Sequence, residues 1–96
     1  MAILSFRDDA TADLYHGRTT SRVRRFPNDI LKSAIRKLDM LNAAVRVDDL
    51  RSPPANRLET LKGNLVGFYS IRVNEQWRII FRWESGAKDV SLVDYH

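Results

Sequence analysis

Four features of this chain carry chemistry: the carboxylate of Glu59, the guanidinium of Arg78, the run Asp94-Tyr95-His96, and basic residues scattered along the sequence. Together they resemble a kit for cutting RNA through its own 2′-hydroxyl. That reaction needs a base for the hydroxyl proton, a cation for charge growing on the phosphate, and an acid for the departing 5′-oxygen. Glu59, Arg78 and His96 fill those roles in that order. An imidazole titrates close to neutrality, and the terminal carboxylate carried by the same residue favours the protonated form, which suits an acid. Tyr69 and Tyr95 are the stacking candidates for a base. Taken singly, Glu59 reads as a surface carboxylate, Arg78 as a strand residue and a terminal histidine as a frayed end. With no cysteine and only His16 and His96 as imidazoles, no metal site and no cofactor are expected.

Positioning these groups falls first to Gly67–Trp83, GFYSIRVNEQWRIIFRW. β-rich residues flank a break at Asn74-Glu75, which reads as a two-residue hairpin turn with Asn74 at positive φ. A two-residue loop sets Arg72 opposite Trp77, Ile71 opposite Arg78, Tyr69 opposite Ile80 and Phe68 opposite Phe81. One face then carries Trp77, Ile79, Phe81, Trp83 and Phe68 against a core. The other carries Tyr69, Ile71, Val73 and Ile80 beside Arg78 and Arg82. Adjacent strand residues point to opposite faces, so Tyr95 and His96 cannot both join Arg78 while their strand stays regular.

Upstream, Ile3 to Phe6 is a short apolar run able to pair as a strand. Asp8 or Asp9 caps a short helix through Tyr15, with Ala10 and Leu14 inward and Gly17 as the stop. Arg18 to Arg25 is a basic loop, and Arg18, Arg22, Arg24 and Arg25 are candidate phosphate contacts, as are Arg57 and Lys62 further on. Asn28 or Asp29 caps a longer helix from about Pro27 to Val45, with Leu31, Ala34, Ile35, Leu38, Leu41 and Val45 as its apolar stripe. Lys32, Arg36 and Lys37 lie off that stripe on a solvated face. Pro53-Pro54 ends any helix. The segment holding them is long for a loop, with a 3-10 turn near Asp48 to Leu50, Leu58 and Leu61 as anchors, and Glu59 and Lys62 displayed. Ser85 to Lys88 turns the chain into a last strand, Asp89 to His96. The expected fold is α+β, β-α-α-β-β-β, two helices on one face of a mainly antiparallel sheet.

At 96 residues the chain is expected to form one domain, 1–96. Its 44% hydrophobic and 29% charged residues are those of a folded globular protein. No apolar run approaches the roughly 18 residues of a membrane span, and MAILSF lacks the basic and apolar regions of a signal peptide. A cytoplasmic location with no membrane partner is expected. A net charge of +4 favours nucleic acid or another anionic partner.

The string ETLKGNLVGFYSIRVNEQWRIIFRW with the closing VDYH, the basic RRF and RSPPANRLETLKG resembles the RelE/ParE superfamily of bacterial type II toxins, most of all its HigB-like branch. The resemblance covers nearly the whole chain. It implies ribosome-dependent cleavage of messenger RNA and neutralisation by a HigA-like antitoxin with a helix-turn-helix domain, through which alone operator DNA would be bound. By position, Glu59 matches the base of YoeB-type members, where the best-known HigB members have histidine. Arg78 matches the arginine on the scissile phosphate, Lys62 a basic residue linked to activity, and Asp94, Tyr95 and His96 a functional C-terminal triplet. Two other readings stay open: a ParE-like inhibitor of DNA gyrase with the same fold, and a non-catalytic basic module that binds nucleic acid.

Overall fold

The computed structural model describes residues 3–95. Helix α1 spans Asp9–Tyr15 and α2 spans Asn28–Ala43; the strands are β1 Glu59–Thr60, β2 Tyr69–Arg72, β3 Trp77–Trp83 and β4 Ala87–Asp94. They form one antiparallel sheet in the order β1-β2-β3-β4. Ala10 and Leu14 of α1 and Ile30, Ala34, Leu38 and Leu41 of α2 pack with Ile71, Ile79, Phe81, Val90 and Leu92 in one core. Both helices therefore cover the same sheet face, as expected for this α+β fold. The N-terminal run does not become a full strand. Ile3 and Phe6 make isolated parallel bridges to Ala87 and Val90 on the outer side of β4.

Helix α1 begins where Asp8 accepts a hydrogen bond from the Thr11 N–H at 2.7 Å, and its exit is followed by Gly17 at φ +72°. Asp13, on its buried side, meets Arg18 at 3.2 Å, Thr20 at 3.0 Å and Arg22 at 2.9 Å. Two of the basic-loop candidates thus tie the loop to α1. Burial pushes the Asp13 carboxyl up, but hydrogen bonds from Thr20, Arg22 and Arg18 outweigh it and leave the group below its ordinary value. A lowered carboxylate stabilises the fold above its unfolded value, near 3.8, and that contribution is lost as pH falls through the folded value. Asp13→Asn should therefore flatten the acid limb of stability below pH 3.8, read by urea unfolding at a series of pH values. An unchanged acid limb would show that the three donors contribute nothing.

Helix α2 starts without a side-chain cap: Pro27 precedes it, Asn28 and Asp29 already lie within it, and the Ile30 N–H closes the first turn on the Pro27 carbonyl at 3.2 Å. Proline fixes φ for the entry and needs no donor there. The helix ends at Ala43, two residues short of the expected Val45, which is exposed. Ile35 is exposed as well, whereas Ile30 and Lys37 are buried. The stripe is thus Ile30, Ala34, Leu38 and Leu41, rotated toward the N-terminal side of the expected one.

The hairpin corrects a second expectation. Tyr69 pairs with Phe81, Ser70 with Ile80, Ile71 with Ile79 and Arg72 with Arg78, one residue from the expected register. Asn74 causes the shift. Its side-chain oxygen accepts from the Gln76 N–H at 2.8 Å and the Trp77 N–H at 2.7 Å, an Asx turn that takes Gln76 into the loop. Asn74 does not adopt the expected positive φ. Because strand side chains alternate, a slip of one residue exchanges the faces of the whole strand. Tyr69, Ile71 and Val73 pack with the helix-side core, and Phe68 joins Arg78's side with Leu61 and Ile80.

A bulge re-phases β4. The register shifts between Ile80 and Arg82, and Asp89 opposite the shift has φ +53°, its N–H bonded to Ser5 Oγ at 2.9 Å. Ala87 and Val90 thereby share the core side although they are three positions apart, an odd offset that regular alternation would put on opposite faces. The strand spans Ala87–Asp94 rather than starting at Asp89.

Candidate active site

The register that displaced Tyr69 assembles the site. Glu59 of β1 lies opposite Ser70 of β2, and Ser70 opposite Ile80 of β3. Arg78, two residues before Ile80, points to the same open face. Its Nη1 donates to Ser70 Oγ at 2.9 Å and its Nη2 reaches Glu59 Oε1 at 3.4 Å. On the other flank Arg78 pairs with Val93, and Tyr95, two residues on, brings its ring beneath the guanidinium at 5.3 Å. Arg78 is held on three sides with 15% of its side chain exposed, while that of Glu59 is 50% exposed. An ion pair at 3.4 Å whose carboxylate is half in water is weak, so an arriving phosphate can take the guanidinium and free the carboxylate. What remains is an oriented cation beside a movable carboxylate.

Asp94 faces the other way, as strand alternation requires. Its Oδ2 accepts from Gln76 Nε2 at 3.0 Å, while the Gln76 carbonyl accepts from the Tyr95 N–H at 2.8 Å. Gln76 therefore holds the chain end that supplies Tyr95. His96 lies outside the described residues. Sequence reasoning missed Ser70 and Gln76: with the two-residue turn, Ser70 fell on the helix side and Gln76 within β3. A serine centred in an otherwise apolar strand was the available signal.

The profile of a family described as RelE-like toxin of type II toxin-antitoxin system HigB matches residues 4–96. The chain belongs to the HigB-like toxins. Toxin HigB-1 of Vibrio cholerae is 43% identical over 93 residues, which cover 97% of this chain and 96% of that protein. Among solved structures, a YoeB dimer from Staphylococcus aureus superposes with TM-score 0.62 at 21% identity over 100% of this chain and 97% of its own. A YoeB-YefM complex from the same organism gives TM-score 0.60 at 18% identity, over 100% of this chain and 99% of its own. These two share the fold.

In this HigB-like toxin the other candidate residues divide into four groups. Arg57 and Lys62 are exposed on either side of β1, and neither side chain has a hydrogen-bond or ion-pair partner among the described residues. Arg57 adopts φ +47° as it leaves the short turn Pro54–Asn56. Arg18 and Arg22 are committed to Asp13. Arg24 and Arg25 are exposed, next to Phe26, whose ring meets Trp77 edge-on at 5.8 Å. Tyr69 does not share Arg78's face; its ring stacks on Phe81 at 5.8 Å and 19°. Among the described residues no cluster of histidine, cysteine, aspartate or glutamate has the makings of a metal site, and no helix is long and apolar enough to cross a membrane.

Proposed function

We propose that this HigB-like toxin is an endoribonuclease that cuts messenger RNA on the ribosome. The observation that carries the reading is the gathering of Glu59, Ser70 and Tyr95 around Arg78 on one open sheet face. In the step we envisage, Glu59 takes the proton from a ribose 2′-hydroxyl, and the oxygen attacks the adjoining phosphorus. Arg78 meets the charge that builds on the phosphate oxygens. The P–O5′ bond breaks, the 5′-oxygen takes a proton from an acid, and a 2′,3′-cyclic phosphate and a 5′-hydroxyl result. His96 is the proposed acid, and Asp94, through Gln76, a positioning residue for Tyr95. Tyr95 orients Arg78 and stacks on a base.

Arg57, Lys62, Arg24 and Arg25 would grip ribosomal or messenger phosphates, with Arg18 and Arg22 adding charge through their exposed portions. Binding should then fall steeply with salt. A HigA-like helix-turn-helix antitoxin is the proposed neutralising partner, and operator DNA would be reached only through it.

Sequencing the 5′ ends of cellular transcripts after induction tests the reading. Cuts phased with codons in translated frames are expected. Intact transcripts together with gyrase inhibition would replace it by a ParE-like mode. Glu59→Gln should lower cutting about a hundredfold, toward the modest end of general-base effects because the carboxylate is half in water. Unchanged cutting by Glu59→Gln would assign the base elsewhere.

A further inference from the structure

A cavity of about 350 Å3 opens beside β1, and Glu59 lines it as well as contacting Arg78. Its other walls come from the turn Val47–Arg51 and from Leu58, Thr60 and Tyr69. We propose that this cavity seats the base of the nucleotide on the 5′ side of the cleaved bond, and that Asp48, Arg51 and Thr60 read that base. The proposal rests on the nuclease reading above and deepens it.

Position comes first. The base hangs from the ribose carbon next to the one bearing the 2′-hydroxyl, so a ribose whose hydroxyl meets Glu59 must carry its base within a few bonds of that carboxylate. The space bordering Glu59 round the edge of the sheet is this cavity. Its size falls within the about 300–1,000 Å3 of small-ligand sites. Val47 and Leu58 give it apolar sides, and Tyr69, braced by near-parallel stacking on Phe81, gives it a rigid aromatic one.

Reading a base also takes fixed donors and acceptors. Asp48 and Arg51, exposed at the cavity mouth and paired Oδ1 to Nε at 3.2 Å, leave the second carboxylate oxygen and the terminal guanidinium N–H groups to meet a base. Thr60 adds main-chain groups. The Leu61 N–H bonds the Phe68 carbonyl at 2.9 Å, so the adjacent antiparallel pair, Thr60 with Tyr69, is the unbonded one. The Thr60 N–H and C=O therefore point off the free edge of β1, the outermost strand. Unsatisfied edge groups beside an aromatic wall suit a planar base with its own donors and acceptors.

The test compares wild type with Asp48→Asn and Thr60→Trp by 5′-end sequencing, with melting temperatures and antitoxin neutralisation measured on the same proteins. Both positions are exposed, so the fold should hold. Asp48→Asn is expected to change the base frequencies immediately 5′ of the cuts by about threefold or more, and Thr60→Trp, which fills the cavity, to lower cutting by about tenfold or more. Unchanged base frequencies in Asp48→Asn overturn the proposal whatever Thr60→Trp does, and leave the nuclease reading standing. If wild type makes no cuts, both fall. Base frequencies that stay fixed while neutralisation weakens assign the cavity to a protein partner and likewise overturn it.

Discussion

Arg78→Ala should abolish growth arrest and lower messenger cleavage about a thousandfold, about 4 kcal/mol of transition-state stabilisation. The size follows from how the guanidinium is held. Ser70 fixes one end at 2.9 Å, and the Tyr95 ring lies beneath it at 5.3 Å. Charge placed in advance costs no reorganisation as the phosphate becomes more negative. Truncation also frees Tyr95 from its cation and Glu59 from its ion pair, so the whole cluster loses its shape. The fold should survive, because Arg78 lies outside the main core, and the structural cost is confined to the buried Ser70 hydroxyl that loses its partner. Arg78→Lys separates charge from geometry. A lysine ammonium can approach the phosphate but cannot hold Ser70 and a phosphate in one plane, so it should restore only part of the rate. Full toxicity in a folded Arg78→Ala variant would remove the arginine from the mechanism.

The residues proposed to do the chemistry are easier to pick out in the sequence than the surface they share. Glu59, Arg78 and Tyr95 stood out by type, and the helices and strands by the period of their apolar residues. Which face β2 presents beside β3 depends on a single turn. Asn74 hydrogen-bonds two residues ahead, a property of its side chain that the bare dipeptide Asn74-Glu75 does not distinguish from a tight two-residue turn. That one extra loop residue moved Tyr69 away from Arg78 and brought Ser70 to it. The slip therefore altered the membership of the site while leaving the fold class intact.

The basic loop shows a different limit. Its arginines are alike in the sequence, yet Arg18 and Arg22 are bound to Asp13 and Arg24 is not. The buried carboxylate that sorts them sits in α1, and its burial depends on how α1 packs. β1 was hidden for a related reason. Two residues give no alternation to detect, and the strand exists because β2 offers it an edge.

The other large effect concerns Lys37, which the helical period placed in solvent and the fold buries. Its Nζ donates to Asn56 Oδ1, and the Asn56 amide in turn donates to the Leu50 carbonyl at 3.1 Å and the Ser52 carbonyl at 3.4 Å. Asn56 is fully buried and ends the turn that leads through Arg57 to Glu59. One hydrogen-bonded centre thus pins the proline-bearing segment to α2 and sets where β1 begins. Asn56→Ala should cost about 3 kcal/mol or more, since it leaves a buried ammonium and two carbonyls without their partner. Cutting should fall with it, because Glu59 loses its anchor.

Burial, with a smaller push from Arg36, already lowers the Lys37 ammonium below its ordinary 10.5. A lysine lowered in the fold is destabilising while charged, so stability rises as pH climbs from the folded value toward 10.5. Asn56→Ala should steepen that rise. Lys37→Met with Asn56→Leu removes both the charge and the amide, and should recover much of the loss in urea unfolding while the single change does not. If Asn56→Ala alone unfolds at the wild-type urea midpoint, the Lys37–Asn56 centre does not hold the segment, and Glu59 must be positioned by β2 alone.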